Sequence, residues 1–113
     1  MVVSDDDTAI AFGSGSVPVL ATPRLIALCE SATCVAMDGH MPSGSTTVGM
    51  RVQLDHLSPT PVGVEVEAEA ILEKIEGRRL TFMVSASDTR GLVAAGKVTR
   101  VLVEVDRFMD KTR

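Results

Sequence analysis

The sequence predicts a two-layer α+β domain in which a five-stranded antiparallel sheet wraps one long helix. Three observations predict it. Only residues 22–38 carry a helical pattern framed by start and stop signals. Most of the later segments alternate apolar and polar residues with period two. Short turn signals separate those segments, so neighbouring strands run antiparallel. At 113 residues, with 45% hydrophobic and 23% charged, one domain spanning 1–113 accounts for the whole chain.

Thr8-Ala9-Ile10-Ala11-Phe12 alternates enough for a short first strand, and Gly13-Ser14-Gly15-Ser16 follows as a flexible loop. The helix opens at Thr22-Pro23, where Thr can cap free amides and Pro suits the first helical position, and Gly39 is its stop. A strand from Val48 to His56 places Val48, Met50, Val52, Leu54 and His56 on one face. After Pro59 and Pro61, Gly63 begins another strand, with Val64, Val66, Ala68 and Ala70 facing inward and Glu65, Glu67 and Glu69 facing water. Glu76-Gly77-Arg78-Arg79 is a hairpin turn into Leu80, Phe82, Val84 and Ala86; Asp88-Thr89-Arg90-Gly91 turns again into a long last strand over 92–105.

Within the helix, Arg24, Ser31 and Asp38 form a narrow polar stripe at about 100° per residue. Glu30 falls about 100° away, flanked by Ile26, Thr33 and Met37, and it is the only charge between Arg24 and Asp38. A carboxylate in that setting is partly desolvated, so it is either paired or raised in pKa. A boundary glutamate whose side chain reaches water is the plainer alternative. Cys29 and Cys34 lie about 140° apart on the same helix, which suits neither a mutual disulfide nor a metal site. Both read as packed small hydrophobes in a reducing compartment.

A net charge of -4 and 3% aromatics, with no Trp or Tyr, exclude a basic or base-stacking nucleic-acid surface. Residues 1–7 are acidic and lack the basic and apolar regions of a signal peptide, and no apolar run approaches the roughly 20 residues of a membrane span. A cytoplasmic protein without membrane or nucleic-acid partners is therefore expected. The core must be largely aliphatic and a sheet edge needs cover, which favours a homodimer and leaves a tetramer open.

Several stretches resemble the hotdog-fold acyl-coenzyme A thioesterases, and most closely the fluoroacetyl-coenzyme A thioesterase branch. They are Ala21-Thr22 with Leu28-Cys29-Glu30-Ser31-Ala32, Thr47-Val48-Gly49 to His56, Pro59-Thr60-Pro61-Val62-Gly63, Glu76-Gly77-Arg78-Arg79-Leu80, and Gly96 to Arg100. The resemblance implies a hotdog fold, hydrolysis of acyl-coenzyme A to free acid and coenzyme A, and a catalytic set of Thr22, Glu30 and His56. It further implies that the Gly49 amide contacts the thioester and that Arg100 lies near the site. No cofactor or metal is required by that chemistry. The approach to the helix carries no aromatic after Phe12, where the fluoroacetyl-selective relative has lid phenylalanines, so fluorine discrimination is not implied.

Each residue also has a structural reading. Thr22 is explained as an N-cap, His56 as a hydrogen-bonded strand histidine, Gly49 as relief of crowding and Arg100 as a surface charge. Arg78 and Arg79 solvate a turn or meet coenzyme A phosphates; His40 reads as exposed. In the catalytic reading His56 is general base and then acid, Thr22 presents its hydroxyl or orients water, and Glu30 orients both, in a site where neighbouring subunits meet. A noncatalytic acyl-thioester binding protein and a hotdog hydratase or dehydratase remain open alternatives.

Overall fold

The computed structural model describes residues 1–113. Four strands, β1 (Ser45–His56), β2 (Glu67–Glu76), β3 (Arg79–Asp88) and β4 (Gly91–Glu104), form one antiparallel sheet in the order β1-β4-β3-β2. β1 is therefore an edge. Helix α2 (Thr22–Met37) lies on the inner face, where Leu25 and Cys29 join Leu80, Phe82, Val84 and Val98 in a buried cluster. Those strand residues occupy even positions, and the alternation read from the sequence puts them there. Glu65, Glu67 and Glu69 are exposed, as their alternation requires.

The sheet has four strands, not five. Residues 8–12 do not form a strand: Thr8 Oγ1 accepts the Ala11 amide at 3.3 Å and caps the four-residue helix α1 (Ala9–Phe12), which ends at Gly13. Five residues are too few for alternation to outweigh a capping threonine and a terminal glycine. The chain start supplies a lesser edge contact. Val2 bridges Glu65, with the Val3 amide on Val64 O at 3.0 Å and the Val66 amide on Met1 O at 2.7 Å. Nor is there one long helix, since α2 has 16 residues and is accompanied by α1 and by α3 (Val105–Asp110), which follows β4 directly.

A bulge between Gly49 and Arg51 corrects the face assigned to β1. Before it the inward residues are odd, so Thr47 is buried; after it they are even, so Val52 and Leu54 pack on the core. Met50 is the additional residue and is exposed. An added residue reverses the side-chain phase, and unbroken alternation cannot anticipate it. The cysteines also divide: Cys29 is buried, whereas Cys34 is exposed and is not the packed hydrophobe expected. Burial raises the Cys29 thiol pKa. No helix is long and apolar enough to cross a membrane.

Candidate active site

Thr22 is the first residue of α2, not its cap. Ala21 holds the N-cap position with no side-chain cap, and Pro23 therefore sits in the second helical position. The helix is anchored instead by its approach, where the Ala21 amide donates to Asp7 O at 2.8 Å and Arg24 Nε donates to Asp7 Oδ1 at 3.1 Å. Freed from capping, the Thr22 hydroxyl lies 2.8 Å from His56 Nδ1 at the end of β1. His56 Nε2 is buried and has no hydrogen-bond partner within the chain.

Beside this pair lies a cavity of about 300 Å³ lined by Gly15, Val17, Leu20, Thr22, His56 and Leu57, among others. The Gly/Ser loop forms one wall. First-turn amides of an uncapped helix face developing negative charge favourably, which gives this end of α2 an electrostatic use.

A second cluster occupies the middle of α2. Glu30 Oε2 accepts from Arg100 Nη1 at 3.3 Å, and Arg100 also donates through Nε to Thr47 Oγ1 at 2.9 Å and through Nη2 to Thr47 O at 3.0 Å. Arg100 is only 7% exposed, so these contacts satisfy a buried guanidinium rather than a surface charge. Gly49 pairs with Arg100 across the ladder, and a Cβ there would lie 2.5 Å from Glu30 Oε2. The glycine makes room for the carboxylate.

Of the five candidates, the fold joins Thr22 to His56, and separately joins Glu30, Gly49 and Arg100. It does not bring Glu30 to His56 within one chain. Gly49 and His56 are seven residues apart along β1, roughly 20 Å. His56 thus lies under the start of the helix and not beneath Glu30. Sequence reasoning does not single out Thr47, whose role depends on an arginine 53 positions later; no local pattern marks it. His40 is exposed, and no group of three or more His, Cys, Asp or Glu is placed to hold a metal.

Residues 3–106 match the family described as FlK, fluoroacetyl-CoA-specific thioesterase. The fluoroacetyl-CoA thioesterase of Streptantibioticus cattleyicolor is 33% identical over 95 residues, which covers 84% of this chain and 68% of that protein. A solved structure of fluoroacetyl-CoA thioesterase FlK superposes with a TM-score of 0.94 at 28% identity, covering 100% of this chain and 88% of the other. A Thermus thermophilus thioesterase superfamily member gives 0.93 at 25% identity, covering 100% and 84%. A hot-dog-like protein from Thermanaerovibrio acidaminovorans gives 0.91 at 25%, covering 99% and 83%, so the architecture is hotdog-like.

Proposed function

Given that the chain belongs to the fluoroacetyl-CoA-specific thioesterase family and hydrolyses acyl-coenzyme A thioesters, we propose that it does so at a site shared by two subunits. Thr22 and His56 come from one subunit, and Glu30, Gly49 and Arg100 from the other. The observation that carries this reading is the Thr22 hydroxyl at 2.8 Å from His56 Nδ1.

The separation of the two clusters has a simple resolution at the β1 edge. A two-fold axis at Gln53 pairs two β1 edges antiparallel and sets Val52 opposite the partner subunit's Leu54. The extra residue at the bulge, Met50, then shifts the register so that Gly49 stands opposite the partner subunit's His56. Glu30, packed on Gly49, comes with it toward the buried and otherwise unpartnered Nε2. The same pairing covers the sheet edge.

In this arrangement His56 Nδ1 takes the proton of the attacking oxygen, presented by Thr22 as its own hydroxyl or as a water held on it. That oxygen adds to the thioester carbonyl, the carbon–sulfur bond breaks, and the proton passes from His56 to the leaving thiolate. Where the Thr22 oxygen itself attacks, a water deprotonated by His56 then adds to the acyl-threonine ester, the acyl–oxygen bond breaks, and the proton returns to Thr22 as the free acid leaves. Glu30 holds the His56 ring and stabilises its charged form. The Gly49 amide and the open first turn of α2 face the carbonyl oxygen as negative charge develops there. Short and medium acyl groups suit a cavity of about 300 Å³. Release of free thiol from a panel of acyl-coenzyme A compounds tests the reading. Turnover of short or medium acyl groups is expected, and no release above the buffer rate from any of them would leave a binding function in its place.

A further inference from the structure

At the other end of β1, where Ser45 pairs with Glu104, two adjoining hollows of about 40 and 130 Å³ share Arg78, Arg107 and Glu104 in their walls, and Lys111 borders the smaller. Six ion pairs engage Arg24, Lys74, Arg90, Lys97, Arg100 and Arg113, but Arg78, Arg107 and Lys111 pair with no carboxylate. Glu104 is the one acidic residue in either wall. A chain of net charge -4 has thus gathered three unpaired cations around a single carboxylate. Their backbone is fixed: Arg78 O accepts the Leu102 amide at 2.9 Å, and Gly44 O accepts the Val105 amide at 3.0 Å where α3 begins.

The place of this cluster relative to the proposed site gives it a use. The Ser45–Glu104 rung is four residues from the Gly49–Arg100 rung, roughly 13 Å along β1. A coenzyme A thioester with its carbonyl at Gly49 directs its pantetheine arm away from the reacting carbon and carries its phosphates at the far end. We propose that Arg78, Arg107 and Lys111 bind the phosphorylated nucleotide end of the thioester substrate. The inference rests on the shared-site reading above. Two guanidinium forks and an ammonium supply the charge-assisted donors that phosphate oxygens accept. Free phosphate offers the same oxygens, so the test separates it from coenzyme A.

All three side chains are exposed, so the triple variant Arg78→Gln, Arg107→Gln, Lys111→Gln keeps the core intact, with its melting temperature as the check. Thiol release is measured on acetyl-coenzyme A and on acetyl-pantetheine, which lacks the phosphates. The expected result is a rise in KM for acetyl-coenzyme A of about tenfold or more, with kcat held and kcat/KM for acetyl-pantetheine matched to the unmodified protein. An unchanged KM for acetyl-coenzyme A, or equal losses on both substrates, overturns the proposal. Calorimetric titration with coenzyme A makes the binding claim independent of turnover. If the unmodified protein hydrolyses neither substrate, the active-site reading fails, while weaker coenzyme A binding by the variant still supports the nucleotide site and equal binding overturns it. Displacement of coenzyme A by inorganic phosphate at equal concentration would mark a generic anion patch and also overturn it.

Discussion

Thr22 Oγ1 lies 2.8 Å from His56 Nδ1, joining the first residue of α2 to the last residue of β1. The contact is available because the threonine is not the helix cap. Its loss is therefore expected to harm chemistry more than folding. Thr22→Val keeps the side-chain shape and removes the hydroxyl, and His56→Ala removes the proposed base; each should lower turnover by about a hundredfold or more. The Thr22→Val protein should retain nearly its full melting temperature. A purely structural histidine would give the reverse for His56→Ala, with stability lost and turnover per folded molecule preserved.

Two glycines make different demands on their neighbours. A Cβ at Gly49 meets the end of the Glu30 side chain, which can swing away, whereas one at Gly96 runs into the Gln53 carbonyl and Leu54 Cα, which cannot. Gly96→Ala should consequently pry β1 from β4 and cost on the order of 3 kcal/mol or more of stability, seen as a sharp fall in melting temperature. Gly49→Ala should cost about 1–2 kcal/mol and reduce turnover disproportionately, because it displaces Glu30. Paired thermal melts and assays separate the two. Equal stability losses would contradict the distinction.

The long strands and α2 were legible in the sequence because their periodic runs are long enough for one period to prevail. Residues 8–12 were not, since a five-residue alternation also fits a capped helical turn. Glu30 could be read as a paired or perturbed carboxylate from its place on the wheel, but its partner Arg100 is 70 positions away. Only the family resemblance pointed there. The split between Thr22–His56 and Glu30–Gly49–Arg100 follows from the seven-residue spacing of Gly49 and His56 along β1. What was illegible is that Gly49 shares the inner face with His56, because the bulge at Met50 is a property of strand pairing.

The β1 edge offers a direct geometric prediction. If the two-fold axis passes through Gln53, then Gln53→Cys, in a Cys34→Ser background that removes the exposed native thiol, should form a disulfide-linked dimer on mild oxidation. Nonreducing electrophoresis reads the result. Asp55→Cys, displaced by two residues, should link far less, and equal linking at both positions would contradict the register.

Two particular carboxylates should contribute to a loss of stability in acid. The Arg90 amide, 2.7 Å from Asp88 Oδ1, is the chief cause that holds Asp88 below its ordinary pKa of 3.8, while burial opposes it and the Thr60 hydroxyl and Arg90 guanidinium assist. For Asp7 the Ser4 amide leads, burial again opposes, and the Ser4 hydroxyl and Arg24 add to it. Because the folded values lie below the unfolded ones, the stabilisation is fully present above the unfolded pKa and disappears as pH falls through the folded values. Melting temperature should accordingly drop as pH is lowered below 3.8, and the double variant Asp7→Asn, Asp88→Asn should show a shallower acid slope. An unaltered slope would assign the acid sensitivity to other groups.

Mixed dimers test the central claim most directly. His56→Ala and Glu30→Gln proteins, each nearly inactive alone, are unfolded together, refolded and assayed for thiol release, with mixed dimers counted by differential tagging. If His56 of one subunit works with Glu30 of the other, each mixed dimer contains one intact site and one doubly defective site. A statistical mixture should then recover about a quarter of normal activity. If both residues served the same site from one chain, every site would carry a defect. Activity no greater than that of the separate variants, with mixed dimers present, would contradict the shared site.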